Sequence, residues 1–396
     1  MVKLVRDPIT ALFLLMLIFV NFSTVALGEI RGNLEVRGEY FPDSPKFPQQ
    51  STTRWQPIIA GELQWQEQFF DEVSSKLSLF GKYHPFADRE FTGDIREGWV
   101  GYFGASSELK IGMLNERWGR LEAENIVDIL NPRDAFEDFQ GDVNLGIPGV
   151  SLSYISEQVQ YSLWVLPYSR PRRLARGKDR FRLTELPLRD ENFSHGRLYP
   201  SAAGRMASTF DDVEVGLSHF YGHVRFPSFT AVVDSIGRPV GLRPQYDIIN
   251  QSSLDVLWVQ GHTLWKFESL YQVGPEDHFF GVGVGVEREF PSIAGTKKSL
   301  TLFVEGYYDD RSTSRSVPLT PFQRDVFVGT RLALNDFAST EFQIRLTHDW
   351  KHASTLVDLR AERRLDRVWG VEGSVNLFVN AQQDPALGGF REDHRF

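Results

Sequence analysis

The chain of 396 residues contains no cysteine. That excludes a disulfide framework, a cysteine nucleophile and thiolate metal ligation. After residue 28 it also lacks any run of the roughly 20 apolar residues that a membrane-spanning helix needs. Positive charge is in deficit, with a formal net charge of −9, which argues against bulk binding to nucleic acid. Neither G-x-S-x-G nor H-E-x-x-H occurs. His348, Asp349 and His352 in "HDWKH" form only a weak metal or acid–base pattern, and His219 and His223 would stand apart on a strand. The expectation is a protein that is not an enzyme, with no catalytic residue, metal or cofactor.

Residues 1–28 read as an export signal: Lys3 and Arg6, then an apolar core, then "ALG" before Glu29. From residue 30 onward a different phrase repeats: about ten alternating residues, then a turn. In "TLVDLRAERRL" the composition favours a helix, yet Asp358, Arg360, Glu362 and Arg364 share one parity and Val357, Leu359 and Ala361 the other. "FFGVGVGVERE" and "STEFQIRLTHDW" alternate in the same way. A soluble sandwich also alternates. Strand length, aromatic residues near strand ends and the alternation of short with long connections instead fit a transmembrane barrel. The expected fold is all-β: a transmembrane antiparallel up-and-down barrel of 16 or 18 strands over residues 29–396, with long outer loops. The final candidate strand, 390–396, alternates poorly and reads as only the start of a strand.

Two loops stand out. Residues 115–147 carry Trp118, Ile126, Val127, Ile129, Leu130 and Phe136, too much apolar material for free solvent. Such a loop either folds into the lumen as a constriction or lies across the mouth as a lid. A short helix over "LEAENIVDIL", residues 121–130, is the natural local reading, ended by Pro132. Residues 169–203 form a basic outer loop with Arg170, Arg172, Arg173, Arg176, Lys178, Arg180 and Arg182, offset locally by Asp179. It either attracts anions or bridges lipopolysaccharide.

"GMLNERWG" followed by "NIVDILNPRD" resembles outer-membrane porin-like proteins of the alginate-export type and their uncharacterised relatives. Arg117, Trp118, Gly119, Asn131, Pro132, Arg133 and Asp134 match that pattern, and the resemblance implies a porin-like channel without naming a substrate. The expected constriction residues are Arg117, Trp118, Arg120, Asn131, Arg133 and Asp134, with Arg331, Arg345, Arg360 and Arg364 on the lumen wall. The expected surroundings are outer-membrane lipid and lipopolysaccharide, small-molecule solutes and the barrel-assembly machinery. A plugged, non-conducting barrel with a structural or envelope-assembly role is the competing expectation, and an outer-membrane hydrolase with a site at the rim is a third.

Overall fold

The computed structural model describes residues 28–275, 278–311 and 322–396. The expected export signal, except Gly28, and most of the loop between Asp310 and Gln323 lie outside the described residues.

Twenty strands are described: β1 Glu29–Tyr40, β2 Trp55–Phe70, β3 Val73–Tyr83, β4 Phe91–Phe103, β5 Ser107–Leu114, β6 Ile147–Ile155, β7 Val159–Leu166, β8 Asn192–Phe193, β9 Ser201–Phe210 and β10 Val213–His223. They continue with β11 Ser228–Val233, β12 Pro239–Tyr246, β13 Ile248–Gln260, β14 Thr263–Val273, β15 His278–Phe290, β16 Ser299–Asp309, β17 Arg324–Ala333, β18 Glu341–Asp349, β19 Ser354–Arg364 and β20 Gly370–Val379. Seventeen form one antiparallel sheet in which each strand pairs with the next in the chain, so this is an up-and-down wall. β8, β11 and β12 form a separate three-stranded sheet within the loops, which the sequence reading did not anticipate.

Seventeen of the eighteen expected strands are therefore wall strands. The eighteenth, 390–396, is reduced to a stub. Arg395 bridges Asn376 of β20, and Phe396 exchanges both backbone hydrogen bonds with Tyr40 of β1. The stub thus touches both edges of the sheet at one end. Connections such as 71–72, 211–212 and 261–262 define a turn end; the long segments 41–54, 115–146, 167–200 and 224–247 define a loop end.

Alternation decides which face meets what. Val284, Val304, Val328, Phe342, Ile344 and Leu346 point outward and are exposed on the bare chain. Asp255, Lys266, Glu268, Glu305 and Asp358, of the opposite parity, are buried inside. Exposed Trp258, Trp265, Tyr154 and Tyr161 ring the turn end, and Tyr83, Tyr221, Tyr271 and Tyr308 the loop end. An apolar band between two aromatic belts is the surface of an outer-membrane-type barrel. Lipid provides no hydrogen bonds, so the ladder must satisfy the wall backbone internally.

Candidate functional site

The interior is occupied by residues 115–146, which leave β5, fold inward and return to β6. Asn131 fixes the base of this segment. Its amide donates to the carbonyls of Leu114 and Leu145 at 2.9 and 2.8 Å, and its oxygen accepts from the Glu116 amide at 3.0 Å. Trp118 packs edge-on against Trp164, with ring centroids 5.3 Å apart. Val127, Ile129 and Leu130 are buried beside Phe220 and Ile249 of the wall.

No helix forms over 121–130, against the local expectation. The physical reason is competition for the amides. Glu268 of β14 accepts from the backbone N–H groups of Arg120, Leu121 and Val127. Glu305 of β16 accepts from Glu122 at 2.7 Å and Ala123 at 3.0 Å, and the Tyr307 hydroxyl accepts from Glu124 at 3.1 Å. Charged acceptors bind amides more strongly than neutral carbonyls do, so the wall outbids the i−4 bonds of a helix. Leu121 docks on β15 at Gly283 and Gly285, where any Cβ would press on its side chain. The glycines of "GVGVG" are thus a seat for this segment.

The contacts run right across the barrel. Arg120 pairs with Asp255 of β13 at 3.1 Å and Glu214 of β10 at 2.8 Å. Glu122 meets Arg331 of β17 at 3.0 Å, and Glu137 meets buried Lys82 of β3 at 2.6 Å. Gln140 bridges Asp358 of β19 and Arg345 of β18, both at 3.1 Å. Arg133 forms a buried bidentate pair with Glu124 inside the segment.

Arg117 donates to the Asp142 carbonyl. Arg331 and Arg345 join the crossing network. Arg360 instead pairs with Glu372 at 2.8 Å on an exposed wall, and Arg364 sits at the turn end, bonded to the Phe337 carbonyl. Neither of these two touches the segment in any described contact.

The basic loop is mostly neutralised by acids distant in sequence. Arg170 pairs with Asp94, Arg173 with Asp94 and Asp134, Arg176 with Glu191, and Arg180 with Asp393. Among the described residues, Arg172 and Arg182 have no carboxylate partner, and Lys178 is exposed. Spaces border the crossing segment toward both ends. Toward the loop end lies a cavity of about 110 Å³, lined by Phe139, Phe181, Phe226 and Phe390 with Arg172, Arg176, Arg182 and Arg345. Toward the turn end lies a polar one of about 180 Å³, lined by Glu108, Lys110, Glu116, Ser153 and Arg205.

Asp128, in the middle of the segment, is buried, and burial pushes its carboxyl up to about 6 against the opposing pull of Arg133. A folded-state value above the unfolded one means the group favours the folded segment below about pH 4. That contribution is lost as pH rises through 6, and it amounts to roughly 3 kcal/mol at most. Urea unfolding followed by tryptophan fluorescence should therefore give a more stable segment at pH 5 than at pH 8. Asp128→Asn should shrink that difference, leaving the part that burial of Asp134 and Asp142 contributes in the same direction.

No protein-family model matches the chain, and no curated protein matches it. Solved structures do match in fold. A carbohydrate-binding β-barrel of Escherichia coli, the outer-membrane protein Wzi involved in group 1 capsule assembly, aligns with a TM-score of 0.50 and 12% identity, over 89% of this chain and 80% of that one. A BenF-like porin from Pseudomonas fluorescens Pf-5 aligns with a TM-score of 0.50 and 10% identity, over 93% and 96%.

Proposed function

We propose that the protein is a porin-like channel of the bacterial outer membrane, narrowed by residues 115–146, that passes small polar or anionic solutes by passive diffusion. One observation carries this reading: the inward segment lies between two solvent-sized spaces inside a charged wall. Selection would then follow from width and field, without covalent chemistry. The preference for anions rests on positive groups that, among the described residues, have no carboxylate in salt-bridge contact. Burial, with Arg133 adding to it, pushes the Arg172 guanidinium down to about 10, and burial does the same to Arg225. Both remain charged at neutral pH, and Arg172, which lines the loop-end cavity, is held at a cost that an arriving carboxylate would relieve.

The second reading, a plugged barrel with a structural role in the envelope, draws on the number of directions in which ion pairs cross the lumen. Single-channel recording in planar bilayers across a salt gradient separates the two. Steady conductance that rises on deleting residues 117–138, with an anion-selective reversal potential, supports the channel. Silence from the wild type, with large openings only in the deletion, supports the plug. Silence from both defeats the channel reading.

A further inference from the structure

At the loop end of the wall, four groups converge that the proposed channel does not use. Asp349 ends β18, His352 follows in the hairpin to β19, and Asp384 comes from the turn after β20. One ligand atom from each lies within 4.8 Å of the others. Asp349 and Asp384 are buried, and His352 is partly so. Asp349 accepts from the backbone amides of Lys351 and His352 at 2.6 and 2.9 Å and from His352 Nδ1 at 2.7 Å, which fixes both side chains. Ser354 and the amides of Ala386 and Leu387 hold Asp384.

A third acid points to a missing positive charge. Asp325 of β17 is only 2% exposed and is the direct cross-strand partner of Asp349 on the inner face. Among the described residues its side chain accepts from backbone amides, those of Arg324 at 2.9 Å and of Gln323. Like charges directly opposite on a sheet repel. Among the described residues, no lysine or arginine pairs with any of these acids, and His352 is the sole basic partner. The Arg324 guanidinium lies over the Tyr308 ring, and Lys351 is exposed. Buried charges are paired or coordinate metals, and here three acids share one basic partner.

We propose that Asp349, His352 and Asp384, with Asp325 beside them, bind a divalent transition ion such as Zn²⁺. Carboxylate with imidazole is a donor set that such ions accept. Ligand bonds of about 2.0–2.2 Å need donors no more than roughly 4 Å apart, so closing the set takes a shift of under an ångström. The ion would fasten the segment after β20 to the wall. That segment carries Leu387 and Phe390, which pack with Phe139 and Phe181 beside the loop-end cavity. The ion therefore sets how firmly that side of the mouth is held.

The test is calorimetric titration of Zn²⁺ into the chelator-treated full chain in detergent. One ion per chain is expected, with affinity at least tenfold weaker in His352→Gln and in Asp384→Asn. His348→Gln should bind as wild type does, because His348 lies on the outer face against Thr355. Asp325→Asn should weaken binding while raising the melting temperature of the metal-free protein. Should a variant fold poorly, Co²⁺ added to the wild type must give the visible absorption of an imidazole–carboxylate site. No saturable binding, a purely aqueous Co²⁺ spectrum, or equal weakening in His348→Gln would overturn the proposal.

Discussion

In planar bilayers, Glu268→Ala is expected to raise conductance severalfold and to add rapid current noise. The carboxylate of Glu268 is fully buried and takes three backbone N–H groups from residues 120–127. Buried hydrogen bonds are each worth about 0.5–1.5 kcal/mol net, so removing three costs the seated segment roughly 3 kcal/mol. That is about two decades in the ratio of seated to released. Glu305, Tyr307 and the Arg120 and Glu122 ion pairs still tether neighbouring residues, so the segment loosens without leaving. The wall ladder is untouched, and the barrel should melt near the wild-type temperature. Glu268→Gln, which keeps an acceptor oxygen but no charge, should fall between the two. Wild-type current from Glu268→Ala, with protease access to residues 120–127 also unchanged, would show that Glu268 does not hold the segment.

The second large effect is expected at Arg180 and Asp393. Their side chains are 2% and 0% exposed, and they meet at 2.6 Å. Arg180 also donates to the carbonyls of Asp43 and Glu392 and lies over Phe41, while Gln50 donates to Asp393. Three chain-distant segments meet at this pair. Asp393→Ala strands a buried guanidinium, which costs about 3–5 kcal/mol. Hydrogen exchange in 41–54, 169–190 and 380–396 should rise together, while the wall strands stay protected. The double variant Arg180→Met with Asp393→Leu should recover most of the loss, since an apolar pair removes the stranded charge. If the double variant exchanges as fast as Asp393→Ala, the charge pair is not what fastens the cap that these three loop-end segments make together.

The wall was legible because a membrane barrel imposes a strict period of two. "TLVDLRAERRL" carries a helix-forming composition, yet β19 runs through it, with Asp358 turned inward to Arg345 at 2.9 Å. Partnering across the lumen was not legible. Arg170 looked unopposed because its acid, Asp94, lies 76 residues away, and that of Arg180 lies 213 away. The helix over 121–130 fails for the same reason, since Glu268 and Glu305 lie far downstream of the amides they capture. The glycines of "GVGVG" were the one local hint of a docked segment. β8, β11 and β12 escaped notice because they are short and lie inside connections.

The links made by the last residues also bear on the order of assembly. Lys46 reaches the Gly388 carbonyl across 342 residues, and Arg395 reaches Glu39 across 356. Contacts of such separation must close nearly the whole chain, and their entropy falls due before any local pairing repays it. Hairpins between neighbouring strands can zip first. The cap over the mouth can form only once β1 and β20 stand close together, so protection at Asp393 and Arg395 should arrive as the slowest phase of refolding, after the wall is complete.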